Sequence, residues 1–171
     1  RRVLFRSDRA YNGLTTASAT CSVAADPDLV ALEDVTCSVD SASFATAGVG
    51  TGKTVTATVS LGGGDAGNYV LASTSITDTA DITAATLTGV LTASDRAYNG
   101  LTTASATCSV AADPDLVALE DVTCSVDSAS FATAGVGTGK TVTATVSLGG
   151  GDAGNYVLAS TSITDTADIT A

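Results

Sequence analysis

The strongest constraint on this chain is a duplication. Residues 8–84 recur without a single change as residues 95–171, so 77 positions repeat at an offset of 87. The ten residues 85–94, ATLTGVLTAS, complete one period. That period exceeds the ~20–50 residues of a solenoid turn, in which each repeat leans on its neighbours. It suits two small self-contained modules in tandem. We place them at residues 7–84 and 85–171. Residues 85–94 then supply the first strand of the second module, with Leu87 and Leu91 buried on one parity, and the first module keeps at most a partial strand through Val3 and Leu4. The leader RRVLFR, residues 1–6, belongs to neither copy yet holds three of the five arginines. One back-translation of it resembles a sequencing adapter, and we set it aside as non-native or unrelated.

Composition then removes whole classes of chemistry. The chain lacks His, Met and Trp, and its 18 acidic residues against 7 basic ones leave a formal charge of −11. Without His there is no Ser-His-Asp triad, no Cys-His pair and no His-based zinc site. The acidic balance argues against nucleic acid, which needs a basic footprint. No stretch approaches the roughly 18 uninterrupted apolar residues of a membrane helix. Regularly spaced Val, Leu and Ile argue against disorder.

The dominant periodicity is two. Residues 53–61, KTVTATVSL, place Val55, Ala57, Val59 and Leu61 on one face and Thr54, Thr56, Thr58 and Ser60 on the other. Residues 17–23 alternate in the same way, as do residues 35–40, with Phe44 following an irregularity. A final long strand opens at residues 69–71 and continues through Ile76, Ala80 and Ile82. Only residues 27–33, PDLVALE, could form a helix, of two turns at most. The fold class is therefore all-β: two tandem modules of five to six strands each, either immunoglobulin-like sandwiches or β-grasp relatives keeping that short helix.

Several motifs invite chemistry. Residues 47–54, AGVGTGKT, fit a permissive phosphate-binding loop, but such a loop needs a helix after it, and here a Thr-rich strand follows Lys53. A Gly-rich connection into a strand is the better reading. In residues 62–68, GGGDAGN, Asp65 (Asp152 in the second copy) is a weak calcium candidate near Asp26 and Asp28. Nothing stacks these turns as calcium-binding repeats require, so an ordinary turn is expected and no metal or cofactor is assigned. Lys53 and Asn68 could form an isopeptide bond, against the simpler expectation of a solvated Lys. Tyr11 and Tyr69 could stack on sugars, against core or turn packing. Cys21 and Cys37 share the apolar parity of two strands, as do Cys108 and Cys124, which predicts one disulfide within each copy and an oxidising compartment. Free buried thiols are the alternative.

One set of residues resembles a known family. Ala10-Tyr11-Asn12-Gly13, then Gly50-Thr51-Gly52-Lys53, then Asp65-Ala66-Gly67-Asn68-Tyr69, and finally Ala80-Asp81-Ile82-Thr83 together resemble the YDG-type repeat of large secreted bacterial adhesins of the filamentous-haemagglutinin kind. The second copy carries Tyr98, Gly100, Gly137, Gly139, Lys140, Asp152, Asn155 and Tyr156 at the matching places. Asn12 stands where the family name has Asp, and the cysteine pair is a departure. The resemblance implies a passive, non-enzymatic β module, secreted or on the outer surface of a bacterium. It would act as a stalk or spacer with neighbouring repeats of the same polypeptide as its partners. A module that itself binds a glycan, a host protein or calcium is the alternative.

Overall fold

The computed structural model describes residues 8–24 and 26–171, and the chain divides into two compact units, Arg1–Thr83 and Ala84–Ala171. The leader at 1–6 and the expected partial strand through Val3 and Leu4 lie outside the described residues. Both units are all-β, and no α-helix occurs among the described residues.

In the first unit, β1 (Arg9–Ala10), β2 (Thr36–Phe44), β3 (Gly50–Gly62) and β4 (Ser75–Thr83) form one sheet in the order β1-β4-β3-β2. The central strand β3 pairs antiparallel with both β2 and β4, and β1 adds parallel to β4. The Thr-Val-Thr-Ala alternation explains β3: Val55, Ala57 and Val59 are buried, while the intervening threonines face water. Phe44, Ala80 and Ile82 complete that apolar face. The expected irregularity before Phe44 is a register shift between Val39 and Ser41. The extra residue resets the side-chain parity, so that Ala42 and Phe44 keep the same face as Cys37 and Val39.

The second unit repeats that sheet and adds to it. Its elements are β5 (Ala85–Leu87), β6 (Val90–Ala93), β7 (Arg96–Ala97), β8 (Ala106–Ser109), β9 (Thr123–Phe131), β10 (Gly137–Gly149), β11 (Tyr156–Leu158) and β12 (Ser162–Thr170). The main sheet runs β7-β12-β10-β9. Beside it, β5 pairs parallel with β11, and β6 pairs antiparallel with β8. Leu87 is 0 % and Leu91 7 % exposed, so both leucines of residues 85–94 enter the core as expected. They sit on two strands instead of one, because the chain turns at Thr88 and Gly89.

Four expectations need correction. The described strands number four in the first unit and eight in the second, not five or six in each. No helix forms over residues 27–33. Leu32 and its counterpart Leu119 take φ of 75° and 73°, which a right-handed helix cannot contain, and the segment folds as successive turns closed by Leu29 N–H to Asp26 O and Glu33 N–H to Val30 O. The final long strand is broken: Ser73 Oγ accepts from the Ser75 N–H at 3.2 Å and donates to the Ser75 carbonyl at 2.6 Å, a local turn that starts β4 afresh. Among the described residues the alternation at residues 17–23 is a named strand only in the second unit, as β8, where it pairs with β6. The disulfides are Cys21–Cys37 and Cys108–Cys124, with Cα atoms 5.5 and 5.2 Å apart.

Candidate functional site

Each motif residue can be followed to what its side chain touches. The glycines of the phosphate-loop look-alike form a β-bulge. The register between β3 and β4 shifts between Gly50 and Lys53, and Gly52 at its centre has φ of 59°. Its N–H donates to Asp81 Oδ1 at 2.8 Å, and the Asp81 N–H donates in turn to Asp8 Oδ1 at 2.9 Å. Lys53 Nζ donates to Thr46 Oγ1 at 2.5 Å. The second unit repeats the set, with Gly139 on Asp168, Asp168 on Asp95 and Lys140 on Thr133. The chain leaves the bulge as a strand, so no helix N-terminus faces the loop. Lys53 and Asn68 fall at opposite ends of β3, whose stretch from Lys53 to Gly62 spans about 30 Å at a strand's ~3.3 Å per residue.

At the far end, two carboxylates hold each other's loops. The Asp34 N–H donates to Asp65 Oδ2 at 2.8 Å, and the Gly64 N–H donates to Asp34 Oδ2 at 3.0 Å. Gly63 makes the approach possible: at φ of 100°, a Cβ there would lie 2.2 Å from the Asp34 carbonyl oxygen. Asp121, Asp152 and Gly150 reproduce the clamp. Asp65 and Asp152, the weak calcium candidates, thus accept backbone amides. Among the described residues no group of three or more Cys, Asp or Glu could hold a metal ion.

A single 3-10 turn, Ala66–Asn68, delivers Tyr69. Its hydroxyl donates to Glu33 and accepts from the Val30 N–H at 3.1 Å, which fastens the turns of residues 26–33 to the sheet. The Glu33 hydrogen bond raises the Tyr69 pKa. Tyr156 makes the matching bonds to Glu120 (2.5 Å) and Val117 (3.1 Å). Burial first, then Glu120, pushes its pKa up to about 12.

The Tyr-Asn-Gly motif is organised by an arginine that sequence reasoning passed over. Asn12 Oδ1 accepts from Arg9 Nη1 and from the Leu14 N–H at 3.1 Å, and Arg9 Nη2 donates to the Leu14 carbonyl. The guanidinium lies 5.3 Å from the centroid of the Phe44 ring, a cation–π contact. Arg96, Asn99, Leu101 and Phe131 repeat the arrangement. Gly13 and Gly100 take φ of 75° and 79°. Both bonds use the Oδ1 acceptor of Asn12, an oxygen that Asp also carries, though Asn meets the Arg9 guanidinium without a charge. Tyr11 is buried, whereas Tyr98 is 56 % exposed. The available signal was that Arg9 and Arg96 are the only arginines of their copies, each placed two residues before the Tyr. Asp34 and Asp121 carried no signal, lying in no recognisable pattern.

One surface distinguishes the units. In the first, a groove of about 250 Å³ opens between the disulfide strand and residues 69–73, lined by Cys37, Val59, Leu61, Tyr69, Leu71 and Ile76 among others. In the second, β5 and the turn after it fill the matching place. There, a Cβ on Gly89 would lie 3.3 Å from Cys108 Sγ and 3.5 Å from Ile163 Cδ1.

The fold and these loops define a class: a small, acidic β module, duplicated in tandem, whose motif side chains bind their own backbone. The YDG domain family matches the chain twice, over residues 4–76 and 82–163. The chain belongs to the YDG domain family as a tandem pair. No curated protein and no solved structure shows a significant match.

Proposed function

We propose that the chain is a structural tandem-repeat segment of a bacterial cell-surface or secreted adhesin, acting as a stalk or spacer rather than as an enzyme. The observation that carries this reading is where the motif's polar groups point. Asp65, Asp81, Asn12 and the Tyr69 hydroxyl all bind groups of their own unit, in loops a ligand would otherwise use. Identity of the copies supports it too, since an array lengthens by duplicating a unit whose neighbours are interchangeable. Two disulfides suit an oxidising, extracellular setting. Net charge of −11 disfavours self-association through like-charge repulsion.

The test is a binding screen of the whole chain against glycans and extracellular-matrix proteins, with and without calcium. A spacer gives no reproducible ligand. Binding that saturates and disappears on Tyr98→Ala, the exposed motif aromatic, overturns the reading in favour of an adhesive module.

A further inference from the structure

The loop after β7 brings together the parts of an intramolecular acyl transfer. Asn99 is followed by Gly100, and both are exposed. Gly100 takes φ of 79°, and apart from its two neighbours in the chain only Tyr98 Oη comes within 4 Å of where its Cβ would stand, at 3.9 Å. With no side chain of its own, the glycine leaves the approach to its nitrogen open. Among the described residues no group accepts the Gly100 N–H. The Asn99 carboxamide is engaged on one side alone. Its Oδ1 accepts from Arg96 Nη1 and from the Leu101 N–H at 3.0 Å, whereas Nδ2 donates to none of the described residues. Arg96 is itself held in place. Its Nη2 donates to the Leu101 carbonyl, and the guanidinium lies 5.2 Å from the Phe131 ring centroid.

We propose that Asn99 and Gly100 form a self-modification site, at which the Gly100 amide nitrogen displaces ammonia from the Asn99 side chain. The nitrogen attacks Cγ, and the negative charge that develops on Oδ1 meets the Arg96 guanidinium and the Leu101 N–H, which act as an oxyanion hole. A bond forms between Cγ and the Gly100 nitrogen, and the Cγ–Nδ2 bond breaks. The proton of the Gly100 amide passes through water to the departing nitrogen, which leaves as ammonia. Water then opens the five-membered succinimide at either carbonyl. Opening at Cγ gives an aspartate in the normal chain; opening at the backbone carbonyl gives an isoaspartate, with the chain running through Cγ. The net reaction consumes one water and turns a neutral carboxamide into a carboxylate plus ammonium. The aspartate keeps the Oδ1 acceptor and sets a negative charge against Arg96, which makes their hydrogen bond the stronger, charge-assisted kind. The isoaspartate adds one carbon to the backbone inside the loop that Arg96 and Leu101 close. The inference does not rest on the spacer reading, because it needs only the chemistry of this loop.

The experiment uses the full chain carrying Thr51→Ser, an exposed change that gives the first copy's peptide a mass different from the second's. The chain is aged at neutral pH, and the loss of ammonia at Asn99 is followed by peptide mass mapping, with isoaspartate counted by enzymatic methylation. The folded chain should react roughly tenfold faster than the same chain unfolded in guanidinium chloride, a smaller gain than a buried oxyanion donor gives, because this site faces water. Aspartate and isoaspartate should appear together. Arg96→Met should bring the folded rate down to that of the unfolded chain. If that variant loses the second unit's melting transition, the comparison of the folded and unfolded parent decides alone. A folded rate equal to or below the unfolded one, an Arg96→Met rate as fast as the parent's in a chain that keeps both transitions, or aspartate without isoaspartate overturns the proposal.

Discussion

The two copies are the same 77 residues, yet one forms a four-stranded sheet and the other forms that sheet plus two flanking strand pairs. In the second unit the added strands come with the residues that precede the copy. Residues 85–93 place Leu87 and Leu91 under the second sheet, convert residues 106–109 into β8, and draw residues 156–158 into β11. Among the described residues, the identical residues 19–22 and 69–71 are part of no named strand in the first unit. Strand propensity at those positions is thus permissive. A partner strand decides, as expected where a strand's stability lies in cross-strand and core contacts rather than in its own backbone preference.

The largest consequence is thermal. Burying Leu87 and Leu91 should contribute about 1.5–3 kcal/mol each, a large part of what so small a domain has. Fragment 85–171 should therefore melt well above fragment 1–84. In the full chain, Leu87→Ala should lower the later transition by about 2–5 kcal/mol and leave the earlier one in place. Equal midpoints for the fragments, or loss of the earlier transition in the variant, would break the comparison.

The disulfides come next. Each closes a loop between cysteines 16 residues apart, which in the loop-entropy account stabilises by about 3 kcal/mol. Replacing either pair by Ser should destabilise its own unit by about that much. Reduction should separate the pairs, because the backbone at Gly89 covers Cys108 and Cys124 while Cys37 lines the open groove. Timed alkylation under mild reductant, read by peptide mapping, should label Cys21 and Cys37 first. Simultaneous labelling would show that the covering strand gives no protection.

A third change should act alike on both units and so serves as a control. Gly63→Ala and Gly150→Ala each drive a Cβ to 2.2 Å from a carbonyl oxygen of the Asp clamp, at φ near 100°. Each should lower its own transition by at least ~1–3 kcal/mol, the scale of backbone strain at such positions. A large effect in one unit alone would mean that the clamp also depends on residues 85–93.

How far the sequence could be read follows the same division. The all-β class, the β3 strand, the parity reset before Phe44, the disulfide pairing and the burial of Leu87 and Leu91 all follow from period-two patterning, which reports which face is apolar. The break before Ile76 is invisible to alternation because Ser73 forms its turn with Ser75 through side-chain bonds. The absence of a helix at 27–33 is equally hidden, because Leu32 adopts a left-handed conformation that its residue type does not announce. At the motifs, the glycines point to turns, but the carboxylates of Asp34 and Asp81 sit 30 and 29 residues from the glycine amides they accept. Only the folded chain brings them together.

The smallest expected effect lies in acid. The Thr88 N–H holds the Asp113 carboxyl below the usual carboxylate range, with a further contribution from the Asp115 N–H, and the Ala93 and Thr166 N–H groups do the same for Asp165. Thr88 precedes β6 and Ala93 ends it, so these bonds tie residues 85–93 to the second unit. A carboxylate whose pKa is lower folded than unfolded stabilises the fold fully above the unfolded value, about 3.9, and loses that contribution as pH falls through the folded value. Both residues are half-buried at the surface, so the effect is modest and weakens with salt. Melts at pH 7, 4 and 3 should show the second unit's lead over the first holding between pH 7 and 4 and narrowing below. Asp113→Ala should reduce the lead at pH 7 and flatten its acid dependence. A lead that grows on acidification, or one that Asp113→Ala leaves untouched at every pH, would show that the strand is held by its leucines alone.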